Sequence, residues 1–485
     1  MTEQKRSISN SAIWAYALTS AMQTFTIMTP YMYGTMFMTT YLGISMATMG
    51  TIFLVAKFMD FIICMASGAV IESANFKKGK YLPIIELFRW TVTIGALGQM
   101  LPIGNLPMAL KFTIISISYI MMHGSMNFLS TANTGLIGVL AGGNYSDRIA
   151  ITQRNSQISA GVSILRSFGT VPLITLLGKL LGKPELGYTV YTIFFIILYI
   201  ACTFWLAKEM TGKEQPRDPN APRRVVKIKD MLGALTGNDQ LVVYLVWQIV
   251  IQLGTQIVSV IGIYYWTLVM VMSDGSSAYL KWYSIGMGLN TCAGFVYSLF
   301  IPKLGVKLGK LKSLFFAQYG GWAAYILYWF LGLKSVYWMT AIGLAVSAVR
   351  YLQMGFGANY VLDIGEYGYY KTGKDYRAVV TAFTSVPMKL TAVIGGAIAP
   401  YFLSFIGFDK FNQANLDGTL DRNSAEFMKF QKQYMAVYCF VPLACSVIGF
   451  LIFKKFYKIT DDKAVFYAQE NAKKTAEAAK AAPAK

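Results

Sequence analysis

A chain of 485 residues in which 55% are hydrophobic and only 14% charged, with a mean hydropathy of +0.47, has a membrane composition; soluble domains carry about a quarter charged residues. The 43 Lys and Arg exceed the 23 Asp and Glu, but the excess sits in short connecting segments, so nucleic acid is not the expected partner. Cys64, Cys202, Cys292, Cys439 and Cys445 lie in apolar tracts without CxxC spacing and His123 is the only histidine, which argues against a disulfide framework or a structural metal.

A helix needs about 20 mostly apolar residues to cross a bilayer. The first apolar tract, 13–41, has no small-residue cleavage site and is expected to be a span, not a removable signal. The same test along the chain predicts further spans near 47–71, 83–103, 110–140, 149–178, 187–207, 240–272, 279–301, 313–333, 336–362, 377–406 and 433–454. Connecting segments alternate in charge: Lys77, Lys78 and Lys80, the run Arg217 to Lys229, Lys303 to Lys312, Lys371 with Lys374, and Lys454 to Lys458 form the basic set. The positive-inside rule then puts both termini in the cytoplasm of a cell-membrane protein. The polar stretch 208–237 divides the chain into halves, 1–207 and 238–460, of six helices each. The expected fold is an all-α membrane protein with the major facilitator layout, where substrate binds near the midplane between halves that rock to alternate access. The Ala/Lys-rich tail 461–485 is expected to be an exposed helix or disordered.

Two segments carry a specific resemblance. After the second span the sequence reads GAVIESANFKKGKYLP, with Gly68 allowing close helix approach, Glu72 at the membrane edge, and Gly79 with Lys80 in a basic turn. Between spans ten and eleven stand Asp363, Glu366, Tyr367, Lys371, Thr372 and Gly373, spaced D-x-x-x-Y-x-x-x-K-T-G, and Lys389 follows in SVPMKLTAVIGGAI. With Lys57 and Asp60 in AKFMD and Arg154 in ITQRNSQISAG, this order resembles the glycoside-pentoside-hexuronide:cation symporters, the melibiose permease-like carriers of the major facilitator superfamily, over nearly the whole chain. Glu72 replaces that family's Asp, Ser73 its Arg, and Asp375 stands near where an Arg is expected after the Thr-Gly pair.

Ionisable groups inside a span cost about 2.5–3.5 kcal/mol each on insertion scales, so they face a bundle interior or an aqueous cavity. Asp60 lies near the centre of span two with Lys57 on its face at i−3. Arg154 falls about 9 Å inside span five and Lys389 about 18 Å inside span eleven. The resemblance implies that Asp60 takes a coupling cation, that Arg154 helps hold a sugar, and that Lys389 tunes both sites. A Lys57–Asp60 ion pair that only stabilises packing is the structural alternative. Arg166 and Arg350 are also at membrane depth without a motif, where a structural ion pair competes with a site role.

Departures from the family pattern shape the expected chemistry. The carboxylates that hold sugar hydroxyls in that family correspond here to Thr24 and Asn127, and the second cation carboxylate falls on Cys64. A hard cation such as sodium prefers several oxygen ligands, so proton coupling and uncoupled exchange gain weight beside it. Lys57, Arg154 and Lys389 against Asp60 leave a positive excess that an acidic glycoside, a hexuronide or glucuronide, would balance; Arg also offers a planar fork for a carboxylate. Trp14, Tyr31, Tyr264, Tyr265 and Trp266 are candidate stacking residues, although interface and packing roles are commoner for such side chains.

The expected function is a secondary symporter with a small-molecule substrate, no cofactor beyond a proton or monovalent cation, and no obligate protein partner. A carrier for a non-sugar organic anion or amphipathic small molecule, and a carrier-like sensor without coupling, are the competing classes. Enzyme chemistry is not expected, since no P-loop, GxSxG or HExxH occurs.

Overall fold

The computed structural model describes residues 8–73, 76, 79–142, 144–214, 228–270, 272, 278–354 and 356–481, less some side chains within helices. These form helices in chain order: α1 (Asn10–Thr40), α2 (Met46–Ser73), α3 (Leu82–Gly98), α4 (Met108–Ala141), α5 (Tyr145–Leu180), α6 (Pro184–Met210), α7 (Ile228–Gly237), α8 (Asp239–Tyr264), α9 (Ser284–Leu308), α10 (Lys310–Leu331), α11 (Val336–Met354), α12 (Gly357–Thr372), α13 (Arg377–Phe383), α14 (Ser385–Phe405), α15 (Phe408–Leu416), α16 (Ala425–Phe456) and α17 (Asp461–Ala481). Two π-helical turns, Tyr265–Val269 and Tyr279–Tyr283, stand between α8 and α9. No strand occurs among the described residues.

Seven described segments are long and apolar enough to cross a membrane: Met46–Ser67, Met108–Ala141, Ser146–Leu180, Pro184–Met210, Asp239–Val269, Val379–Phe405 and Ala425–Phe456. The expected span 336–362 is two helices, α11 ending at Met354 and α12 starting at Gly357, a residue type that lowers helix propensity. The expected span 377–406 is likewise divided at Thr384. The tail from Asp461 is helical to Ala481.

Residue contacts divide the chain into two compact units. The first comprises Met1–Arg223, Ile263–Thr291 and Pro400–Asp421. In it α1 packs against α6, α5 and α3, while α4 packs against α2 and α3. Ser9 caps α1, its hydroxyl accepting from Ala12 N at 3.2 Å. α1 is buried on most of its surface, and three of its buried hydroxyls are satisfied within the helix: Thr19, Thr26 and Thr29 donate to the carbonyls of Ala15, Met22 and Phe25. A hydroxyl removed from water needs such a partner, and the carbonyl at i−4 supplies it. α3 and α4 meet backbone to backbone at Gly95, where a Cβ would fall 2.5 Å from Met122 N; small residues permit this approach between membrane helices.

The second unit comprises Arg224–Gly262, Cys292–Ala399 and Arg422–Lys485. α10 packs on α11 and α16, and α12 on α13 and α17. Trp247, 1% exposed, centres its aromatic core, with ring centroids 4.5 Å from Phe453 and 6.0 Å from Tyr360.

Candidate functional site

In the first unit, residues spaced along three helices converge on Asp60. Phe53, Lys57 and Asp60 share one face of α2, and Tyr119, His123 and Asn127 follow at i, i+4 and i+8 on α4. Asp60 is 7% exposed and accepts from Asn127 Nδ2 at 2.7 Å. The Lys57 ammonium lies 4.7 Å over the Phe53 ring and within electrostatic range of Asp60. Tyr119 stacks on His123 at 4.0 Å and meets Phe53 at 5.5 Å, while its hydroxyl feels the charge of Asp60. Tyr31 of α1 completes the ring, 6.3 Å from His123. A buried carboxylate that receives a donor from a neutral amide, with a cation nearby, can exchange a proton or a small cation without losing its remaining support.

Two sequence-predicted residues thus come together here in a way their spacing did not show: Asn127 contacts Asp60 itself. Thr24 bonds back to Ser20 O at 2.9 Å on its own helix. Cys64, one turn beyond Asp60, has its carbonyl taken by the Ser67 hydroxyl at 2.8 Å. The aromatic pair Tyr119 and His123 was missed as a site element; the i, i+4, i+8 spacing with Asn127 was the available signal.

Arg154 stands on α5 with its guanidinium 4.8 Å over the Trp14 ring. These two, with Asn10, Gln153 and Gln157, line a cavity of about 230 Å³. Amides and a cation over an aromatic face can together hold a hydroxyl-rich ring. Tyr264 and Tyr265 are buried, at 1% and 0% exposure; Tyr264 shares a hydrogen bond with Thr39 at 3.2 Å and packs on Phe408. Trp266 lies edge-on to Tyr265 and to Tyr283.

The first signature segment turns at Gly79, whose φ of +106° favours glycine. The Glu214 carboxylate crowds the place a Cβ would occupy and accepts from Lys80 N, Tyr81 N and Leu82 N at 2.8, 2.7 and 3.0 Å. That carboxylate caps the start of α3, where backbone donors are otherwise orphaned; nothing in the local sequence around Gly79 pointed to it. The Lys80 ammonium lies 5.2 Å over the Tyr81 ring. The surroundings of Gly68 and the side chains of Glu72 and Arg350 lie outside what the structure describes.

In the second unit the other signature segment forms α12, ended by Gly373 at φ +68° with its N–H on Tyr369 O, a left-handed cap. Asp363 pairs with buried Lys310, whose ammonium also reaches Asp461 at 3.6 Å. The Tyr367 hydroxyl and the Lys371 ammonium both donate to Asp239 Oδ1, at 2.8 and 2.6 Å, and that bond raises the ammonium's affinity for its proton above the ordinary value. Glu366 accepts from Arg377 Nη1 at 2.9 Å and from Asn471 Nδ2 at 2.7 Å. Thr372 folds back onto Gly368 O at 2.7 Å. Arg377 also pairs with Asp375, so the cation displaced from its place after the Thr-Gly pair is supplied two residues beyond Asp375. The motif residues therefore clamp α12 to the starts of α8, α10 and α13 and to α17. Lys389 is half-buried on α14 of this unit.

The chain matches a family model described as MFS/sugar transport protein over residues 15–461. Among curated proteins it is 24% identical over 380 residues to an isoprimeverose transporter of Lactiplantibacillus pentosus, covering 77% of this chain and 75% of that one. It is 22% identical to a glucuronide carrier protein homolog of Escherichia coli, covering 76% and 77%, and 23% identical to an uncharacterized symporter of Bacillus subtilis, covering 79% and 80%. Among solved structures, a nucleoside transporter, NupG, superposes with a TM-score of 0.60 at 13% identity, covering 93% of this chain and all of that one. A structure from work on proton-dependent oligopeptide transporters superposes with a TM-score of 0.61 at 12% identity, covering 92% and 99%; at such identities the likeness speaks to fold alone. The chain belongs to the MFS/sugar transport family, the melibiose permease-like group of multi-pass membrane transporters that its signature segments resemble.

Proposed function

We propose that this transporter is a symporter of twelve spans in two six-helix halves that imports a glycoside, with a proton or monovalent cation taken at Asp60 as the driving ion. The observation that carries the reading is the buried Asp60 carboxylate hydrogen-bonded by Asn127 at 2.7 Å. A carboxylate that accepts from a neutral amide can keep that bond while it takes up a proton or a small cation. Ion binding at Asp60 removes a negative charge from the field around Lys57, and substrate capture at Arg154 follows. A membrane potential supplies about 2.3 kcal/mol per charge per 100 mV to such a cycle.

The favoured substrate is acidic, a hexuronide or glucuronide. Lys57 and Arg154 in the first unit and Lys389 in the second outnumber Asp60, and the similarity to a glucuronide carrier homolog points the same way. Residue Cys64 in place of a second carboxylate favours a proton over sodium. Uptake of paired 4-nitrophenyl glucuronide and glucoside into proteoliposomes tests the substrate: preference for the glucuronide is expected, and acceptance of the glucoside with rejection of the glucuronide would refute it. A second reading, a carrier of non-sugar organic anions, draws on the amide Asn127 and hydroxyl Thr24 standing where sugar-binding carboxylates are expected; inhibition of glucuronide uptake by simple organic acids would favour it.

A further inference from the structure

Arg166 of α5 is a cation inside the first unit that the proposed cycle does not use, and its surroundings are unlike those of a structural arginine. Its Nε is buried without a hydrogen-bond partner, and Nη1 meets only the Met32 thioether sulfur at 2.6 Å, a weak acceptor. Among the described residues no carboxylate pairs with it. Tyr33, Tyr191 and Tyr283 instead surround it within electrostatic range, and the Tyr33 and Tyr283 rings stand 6.1 Å apart, edge to face. The stretch of α5 that carries it is anchored: the neighbouring Ser167 hydroxyl bonds Thr291 at 2.8 Å, and the Phe168 ring fills the space that a Cβ on Gly288 would need.

A half-buried guanidinium with a buried Nε, whose own protein offers a sulfur and phenol rings, is short of an acceptor, and that shortage is costly unless a ligand relieves it. The group that fits is a planar oxyanion taking two parallel N–H bonds from the open edge, with phenol hydroxyls as further donors. A cavity in the same unit approaches this cluster. A cavity of about 600 Å³ is lined by Tyr41, Lys179, Tyr188, Tyr279, Asn412 and Asn415. Tyr188 and Tyr279 close one side of it through a 2.9 Å hydroxyl bond, and Tyr188 lies 6.2 Å from Tyr33.

We propose that Arg166, with the hydroxyls of Tyr33 and Tyr283, is a carboxylate-recognising subsite on the substrate path, reached from the Lys179 cavity past the Tyr188–Tyr279 pair. It is separate from the Arg154 pocket: twelve residues along α5 place the two about 18 Å apart, further than one monosaccharide glycoside spans. The substrate therefore occupies them in turn along its path: Arg166 recognises the carboxylate at one position, and Arg154 with its amides holds the sugar at the other. This assignment rests on the acidic-substrate reading.

The test compares initial uptake of 4-nitrophenyl glucuronide and 4-nitrophenyl glucoside by wild type, Arg166→Gln, Arg166→Lys and Tyr283→Phe in proteoliposomes. Arg166→Gln is expected to raise the apparent KM for the glucuronide by about tenfold, equivalent to about 1.4 kcal/mol, and to leave the glucoside within about twofold. Arg166→Lys restores part of the loss and Tyr283→Phe shows a smaller one of the same selectivity. Wild type that prefers the glucuronide while Arg166→Gln keeps that preference overturns the subsite alone. Wild type that rejects the glucuronide overturns both the subsite and the acidic-substrate reading. If Arg166→Gln does not reach the membrane, Tyr283→Phe decides, and an unchanged glucuronide-to-glucoside ratio in it counts against the proposal.

Discussion

Replacing Asn127 by Leu removes the amide that donates to Asp60 at 2.7 Å while keeping the side chain's approximate size. The carboxylate is 7% exposed, so water cannot readily substitute. A hydrogen bond to a charged group is worth about 1.5–3 kcal/mol. The loss falls mainly on the ion-free state, because a bound cation or proton has already compensated the charge. The sign follows: the empty site is destabilised, and the coupling ion binds more tightly by up to that amount, about 10- to 150-fold at 1.4 kcal/mol per decade. Release then slows, so turnover falls even as half-saturation moves to lower ion concentration. Glucuronide uptake into proteoliposomes, titrated with sodium at fixed pH and with pH at fixed sodium, reads the shift and identifies the ion. Half-saturation that moves to higher ion concentration, or stays within twofold for both ions, would refute the reasoning.

The signature segment offers a contrast of buried and exposed pairs. Lys310→Ala strands Asp363 beside a vacated interior position and is expected to destabilise the protein by about 3 kcal/mol, visible as a lower midpoint in thermal unfolding in detergent. Asp239→Asn breaks an ion pair whose partners are both 45% exposed, so its effect on the same midpoint corresponds to under about 1 kcal/mol, while an amide oxygen still accepts from Tyr367. At the α3–α4 crossing, Gly95→Ala forces a methyl against Met122 N and should cost about 1–3 kcal/mol, again read by thermal unfolding; an unchanged midpoint would mean that the helices separate without penalty.

The helical, membrane-spanning class was legible from composition and from charge-poor runs such as that around Pro184–Met210, because apolar length alone decides such segments. The division between α11 and α12 was not, since glycine inside an apolar tract can be absorbed by a continuous helix or can end one. Lys57 and Asp60 could be placed on one face from their spacing, and the D-x-x-x-Y-x-x-x-K-T-G order located the ionic clamp on α12. The partners in both cases come from distant chain positions: Asn127 is 67 residues from Asp60, and Asp239 is 132 from Lys371. Periodicity describes a helix's own face and says nothing of which helix it meets. Arg166 shows the same limit in sharper form. Its depth could be counted along α5, but its sulfur-and-phenol surroundings arise only when α1, α6 and the turn before α9 are brought beside it.

The account stands or falls on Asp60 as the coupling group. Glucuronide uptake should be followed in proteoliposomes carrying Asp60→Asn, under an imposed proton or sodium gradient and, separately, in counterflow without one. Loss of accumulation with counterflow retained is the expected outcome, because the binding sites and the rocking motion survive while the driving ion has no carboxylate to occupy. Accumulation against a gradient at the wild-type level would contradict it.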